Sequence, residues 1–367
     1  MTATGFALYR FPHQQQVTRV CQTQGQPLEL ASCRDLNDRR GFVVAPFQVA
    51  PRHPILLIRP DQVQTFADAS QCTLPEGWQM APSEPAVCTG QTDAPPAPDS
   101  DRASYGRDFR CFHDQLRSDR FRKLVLSRCA EISAQCSPDV LVLFQSACRL
   151  YPRLFVALTY TPQSGLWLTA TPEILLEGED GRWRTIALAG TMRLEGAQLQ
   201  GEGEEVCWST KNIQEQRYVA TYITECLEQV SADVTEEGPR TVRAANLVHL
   251  RSDFTFSLYN NVRVGDVLQL LHPTPAVCGL PKQQAFRFIV GHEHTPRLYY
   301  SGFQGPLGIE PAATHLYVSL RCMQITPRAF RLYAGGGLLK DSTEEQEWLE
   351  TEAKLETMRQ CIATRKT

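Results

Sequence analysis

No basic excess, no long apolar run and no paired cysteines are found in this chain of 367 residues, and each absence removes a class of function. With 37 Lys and Arg against 40 Asp and Glu the formal charge is −3, so no electropositive stripe exists to hold a phosphate backbone, and nucleic acid is not expected as a partner. The apolar stretches are close to strand length, far short of the roughly 20 residues of a membrane span. The opening MTATGFALYRFPHQQQ lacks a basic segment followed by an apolar one, so no secretory signal is visible. Thirteen cysteines make an odd count without any CxxC pair, so zinc clusters and a disulfide framework are not expected and a cytoplasmic location is. There is no internal repeat of fixed period.

What is present is a mixed α/β pattern. Residues 1–80 hold short apolar runs such as PILLIRP between polar turns and are expected to be the N-terminal part of one sheet system. Residues 81–104 are dense in Pro, Asp, Ser and Thr, a composition that cannot bury a core and predicts a mobile linker or loop. Over 105–367, FRKLVLSRCAEI, RLFVALTY, GLWLTA, EILLEG, RWRTIALAG, HLYVSLRCMQI and FRLYAGG read as strands. Helices are expected at 105–119, at 138–149 behind Ser137–Pro138, at 209–230, 282–291 and 343–361.

The helix STEEQEWLETEAKLETM places Glu347, Glu350 and Lys354 at i, i+3 and i+7, on one face. Three ionisable groups so placed ordinarily make a solvated surface. Here Trp348, Leu355 and Met358 supply an apolar side that docks the helix on a core, and LYAGGGLLKDS just upstream reads as a strand breaking into three glycines that let backbone N–H groups approach an anion. A glycine turn beside paired carboxylates suggests a site for a metal-bound carboxylate ligand. In WSTKNIQEQRYVATYITECL, Ser209 is placed as N-cap, and Glu215 recurs with Val219, Tyr222 and Cys226 at helical spacing. Glu215 is then either an ordinary surface acid or a carboxylate on the buried stripe, where it needs a cation.

HPTPAVCGLP, LYYSGFQGPLG, SLRCMQI, LYAGGGLLKDS and EWLETEAKLETM, in that order and together with TPEILL, ALAGTMR and STKNIQEQ, resemble the chorismate-utilising enzymes, and within them the isochorismate synthases. The resemblance spans about residues 105–365. It implies a single α/β (α+β) fold of two large stacked antiparallel sheets with helices outside and the site in a cleft. It also implies Mg²⁺ as cofactor and chorismate as small-molecule substrate. By the same resemblance Lys123 is the general base that activates water and Glu173 the general acid, on opposite faces of the substrate ring and too far apart for a salt bridge. Glu215 and Glu350 are magnesium ligands, with Glu347 supporting them and Lys354 near a substrate carboxylate. Arg321 and Tyr300 contact the pyruvyl carboxylate. Gly190, Thr191, Gly335 and Gly337 approach the ring carboxylate and its metal, and His249 is a pocket histidine. Asn212 and Gln216 depart from the family's usual acid and histidine, which implies a weaker outer metal shell and an altered contact behind it.

Within that family, Lys123 separates the chain from anthranilate synthases, and Leu188-Ala189-Gly190-Thr191 lacks the lysine that many aminodeoxychorismate synthases carry before Gly-Thr. Ala276, where salicylate synthases often have threonine, fits release of isochorismate, with salicylate plus pyruvate as the alternative. A silent binding protein on the same scaffold would lack turnover. The expected route is menaquinone biosynthesis, with siderophore supply as the alternative, and a monomer or weak homodimer is the expected state.

Overall fold

The computed structural model describes residues 3–80, 98–134, 136–179, 181–193, 206–244, 247–309 and 313–363. The first stretch forms β1 (Gly5–Arg10), β2 (Val17–Gln22), β3 (Leu28–Leu30), β4 (Gly41–Ala45), β5 (Ile55–Ile58) and β6 (Gln62–Phe66). Then come α1 (Pro98–Arg117), β7 (Lys123–Ser133), α2 (Val140–Leu150), β8 (Phe155–Thr161), β9 (Gly165–Thr171), β10 (Ile174–Glu179), β11 (Arg182–Arg193) and α3 (Thr210–Leu227). The remainder supplies β12 (Thr235–Ala244), β13 (Leu247–Ser257), α4 (Val264–Leu271), β14 (Gly279–Leu280) and α5 (Lys282–His292). It ends with β15 (Phe303–Leu307), β16 (Thr314–Val318), β17 (Cys322–Ile325), β18 (Ala329–Leu338) and α6 (Glu344–Ala363).

Among the described residues these strands make two nine-stranded antiparallel sheets. The first runs β14-β7-β18-β17-β9-β8-β1-β2-β6 and the second β12-β13-β11-β10-β16-β15-β4-β5-β3. Successive side chains of a strand point to opposite faces. Thus Phe6 and Leu8 of β1 pack with Leu143 and Phe144 of α2 and Leu355 and Met358 of α6, while Ala7 and Tyr9 enter the layer between the sheets. In β5, Ile55 and Leu57 face the side of α3 and α4, and Leu56 and Ile58 face the other sheet. With both faces covered, such strands read as plain apolar runs, as ILLI of β5 does. Residues 1–80 add three strands to each sheet. Between the layers Phe155 stacks on Tyr317 with ring centroids 4.1 Å apart. On the outside, α1 and α5 close over β7 through Phe112, Phe288 and Leu126.

Three expectations need correction. Helix α1 begins at Pro98, so 98–104 is helical rather than linker; proline at a first helical position removes only a donor that had no partner there, and residues 81–97 lie outside the described residues. HLYVSLRCMQI is two strands in different sheets, β16 and β17, parted by Ser319, Leu320 and Arg321. The three glycines do not break a strand: β18 continues through them, with Gly335, Gly336 and Gly337 opposite Ser127, Leu126 and Val125 of β7.

Candidate active site

The chain passes from the first sheet to the second at Pro172–Glu173, between β9 and β10, and returns at 319–321, between β16 and β17. The two crossings are tied to each other: Val318 N donates to Glu173 O at 2.9 Å and Ala170 N to Arg321 O at 3.1 Å. Glu173 therefore stands at a corner, not within a strand as its motif suggested. Its residue is 3% exposed, and burial pushes the carboxyl up to about 8 against the opposing pull of Lys123, Lys354 and Arg321. At the other corner Arg321 takes the left-handed backbone, φ 47. Its Nη2 donates to His249 Nε2 at 2.5 Å, and His249 Nδ1 donates to Gly190 O at 3.2 Å. That pair of bonds selects one neutral tautomer. Burial, then the charges of Arg321 and Lys354, hold the imidazole well below its ordinary range, and burial brings Arg321 down to about 10.

A third corner carries Tyr300. Tyr300 N donates to Arg297 O, and Ser301 N and Ser319 N exchange bonds with Ser319 O and Gly302 O, all at 2.9 Å, so the Tyr300 turn is laced to the Arg321 crossing. The Tyr300 ring stacks near Tyr333, centroids 5.6 Å apart. Burial raises its hydroxyl pKa.

Below the corners lies a cluster of carboxylates and lysines that exists because β18 has no side chains there. A Cβ on Gly337 would overlap Glu215 Oε1 and sit 3.0 Å from Lys123 Cε. On Gly336 it would sit 3.0 Å from Glu347 Oε2 and 3.6 Å from Glu350 Oε1, and on Gly335 2.8 Å from the Tyr300 hydroxyl. The glycines thus make floor space rather than an anion turn. Lys123, fully buried at the start of β7, stands 2.9 Å from Glu215 Oε1 but makes no aligned hydrogen bond there. Burial alone would raise Glu215; the combined attraction of Lys123, Lys211 and Lys354 overcomes it and leaves the carboxyl below its usual range. Lys211 pairs with Glu347, which also accepts from Ser342 Oγ at 2.7 Å. Burial and the neighbouring Glu350 raise Glu347. Lys354 pairs with Glu350 and donates to Gly335 O, at 2.7 and 2.8 Å.

Gly190 and Thr191 sit where β11 slips register against β13. Gly190 has φ +67, and a Cβ there would lie 3.1 Å from Asn212 O, so glycine suits the position twice over. Gln216 spans this slip: its Oε1 accepts from Ala189 N at 2.9 Å and its Nε2 donates to Ala187 O at 3.1 Å. The amide that departs from the family pattern is thus fully bonded to the strand it supports. Ser209 caps α3 as its position predicts, accepting from Asn212 N at 3.2 Å.

The corners, glycine floor and register slip enclose a cleft of about 640 Å³, open mouth included. Glu173, Gly190, Thr191, Glu215, His249, Ala276, Tyr300, Arg321, Gly335, Gly337 and Lys354 line it. Lys123, Glu347 and Glu350 do not line it; they lie behind Glu215, Gly337 and Lys354. Lys123 and Glu173 form no ion pair with each other, and neither points to solvent. Lys211 lies in the STKNIQEQ motif without a role assigned to it and Ser342 is an ordinary surface type in sequence; the fold brings both to Glu347.

The residues fit a magnesium ion. Among the described residues no cluster of three or more His, Cys, Asp or Glu is gathered as a closed metal cage. Magnesium does not need one, since it is commonly bound by one or two carboxylates with waters and ligand oxygens. Glu347 Oε2 is buried without a hydrogen-bond partner and, with Glu350, borders the open space over Gly336, an acceptor suited to a cation.

Known proteins share this two-sheet fold. Isochorismate synthase MenF of Escherichia coli is 31% identical over 241 residues, 65% of this chain and 55% of that protein. Isochorismate synthase EntC of the same organism is 29% identical over 239 residues, 64% of this chain and 61% of that one. The alignments therefore span between half and two thirds of these relatives. In three dimensions the chain resembles the solved structure of MenF, the menaquinone-specific isochorismate synthase from Escherichia coli, with a TM-score of 0.79 at 21% identity over 98% of this chain and 89% of that one, a likeness of fold. Residues 67–363 match the family described as chorismate binding enzyme. The chain belongs to that family.

Proposed function

We propose that the protein is an isochorismate synthase, a hydroxymutase that interconverts chorismate and isochorismate with Mg²⁺. The observation that carries this reading is one cleft in which a carboxyl held protonated at neutrality, Glu173, lies within electrostatic reach of a fully buried lysine, Lys123. Moving the hydroxyl from C4 to C2 requires that pair of functions. Lys123 takes a proton from the water whose oxygen bonds to C2, the two ring double bonds each move one position so that the pair reaching C4 breaks the C4–O bond, and Glu173 gives its proton to the hydroxyl that leaves C4. Arg321 and Tyr300 hold the pyruvyl carboxylate, Arg321 being fixed by neutral His249. Gly190, Thr191 and the backbone of Gly335–Gly337 lie along the ring carboxylate. Glu215 and Glu350, with Glu347 behind them, would hold the magnesium ion, which when bound supplies positive charge to the ring carboxylate.

Ala276 leaves the wall at the loop small and apolar, which supports isochorismate as the released product. The relative named for its menaquinone role supports that route; deletion of the gene should then remove menaquinone and leave catechol siderophores unchanged. The deciding assay incubates protein, chorismate and Mg²⁺ near neutral pH and resolves isochorismate, salicylate and pyruvate together. Isochorismate without pyruvate is expected, formed also in reverse. Early stoichiometric salicylate and pyruvate would replace the reading with salicylate synthase, and anthranilate on adding ammonium would remove Lys123 as the selector of water.

A further inference from the structure

Strand β7 lies next to the edge of its sheet, and its outer neighbour β14 is two residues long, pairing only with Lys123 and Leu124. Beyond Leu124 the main-chain pairing goes on only as Val125 N donating to Cys278 O at 2.7 Å, and the next outward groups of β7, Val125 O and Ser127 N, would lack a ladder. Two buried side chains take the place of the missing strand. Arg297 Nη2 donates to Val125 O at 2.8 Å, and Glu293 Oε1 accepts from Ser127 N at 2.7 Å. The two are joined by Arg297 Nε to Glu293 Oε2 at 2.6 Å and Nη2 to Oε1 at 2.8 Å. Arg297 Nη1 donates to Val277 O at 2.6 Å, in the loop that presents Ala276 to the cleft. Its own carbonyl accepts from Tyr300 N, and its guanidinium lies 4.2 Å from the Phe47 ring centroid. The side chains are 2% and 4% exposed, and no step of the reaction uses either.

We propose that Arg297 and Glu293 are a positioning pair that sets the base strand, the Ala276 loop and the Tyr300 turn relative to one another; this rests on the assignment of Lys123, Ala276 and Tyr300 to the site. The pair touches each of the three segments by a backbone atom, so its effect is on where they stand. A planar fork is required, because one ammonium cannot reach Val125, Val277 and Glu293 in fixed directions.

The test is Arg297→Lys, which keeps a cation beside Glu293 and removes the fork, with Glu293→Gln as companion. Displacement of a reacting group by about 1 Å costs on the order of 100-fold, so kcat on chorismate should fall by about that factor. KM should change less than kcat, since Arg321 and Gly190 hold substrate from the far side and main-chain bonds still tie the Tyr300 turn to the Arg321 crossing. Hydrogen exchange gives a readout that does not depend on turnover: peptides covering 123–129 and 273–280 should exchange faster in the variants while those from β1 and β8 do not. A kcat within about threefold of wild type overturns the proposal, as does lost activity with unchanged exchange in those two segments. Faster exchange everywhere would make the pair a general stabiliser only, which also overturns it. If the wild-type protein forms no isochorismate, the assignment of the reaction falls separately, and local exchange at 123–129 and 273–280 alone then decides whether the clamp exists.

Discussion

Two clusters of buried charge meet on β7, and they follow opposite rules. In the clamp of Arg297 and Glu293 every named charged atom has an aligned partner and the carbonyls it serves are main chain. In the cluster of Lys123, Glu215, Glu347 and Glu350 the partners are incomplete: Lys123 Nζ and Glu347 Oε2 are buried with no aligned hydrogen bond. A fully satisfied buried pair fixes geometry, whereas an incompletely satisfied one retains capacity for a ligand. The lesson is that burial of charge is not one phenomenon. What separates structure from site is whether the hydrogen-bond inventory closes.

That contrast can be attacked in order of expected effect. If the open cluster is the ion site, Glu350→Gln, or excess chelator on the wild-type protein, should abolish turnover while circular dichroism stays unchanged; full activity in either would remove the carboxylates from that role. Next, Lys123→Ala and Glu173→Gln should each lower kcat by about 10²–10⁴-fold, the usual contribution of a base or acid in the reacting position. A change below about tenfold in either, measured with isochorismate as product, would place the proton transfers elsewhere.

Stability should sort the clusters the other way. Removing one partner of a buried, fully bonded pair costs about 3–5 kcal/mol, so Arg297→Met should show a loss of that size in urea unfolding. Lys123→Met should cost less, because Lys211 and Lys354 also attract Glu215. Equal losses would erase the distinction drawn here. The smallest effect near neutrality is the pH dependence. The carboxyl of Glu173 titrates at about 8, so its acid form is present at neutral pH and lost above that value. The rate should fall about tenfold per unit above about pH 8, and Glu173→Gln should lack this limb.

The helices were readable because caps and 3.6-residue spacing are local: Ser209 before α3 and Glu347, Glu350 and Lys354 along α6 needed no tertiary knowledge. The motif residues were readable because their resemblance to a family is ordered along the chain. The crossing at 319–321 was not, since Val-Ser-Leu-Arg contains neither glycine nor proline and an apolar run looks the same whether it stays in one sheet or changes layer. The glycine run was misread because glycine has two uses, a turn or close approach, and only the carboxylates of α3 and α6 packed over β18 decide between them. Arg297 and Glu293 have i, i+4 spacing like any surface pair; their burial against β7, Val277 and Phe47 is a product of packing.

Glu173 and Arg321 both occupy places where the chain changes layer, and those places are bonded to each other. Shear of one sheet over the other would have to break Val318 N to Glu173 O and Ala170 N to Arg321 O together. The layers are in effect riveted at the cleft. The spacing of Glu173 and Arg321 is therefore set by main-chain bonds between the layers and not by whatever enters the cleft.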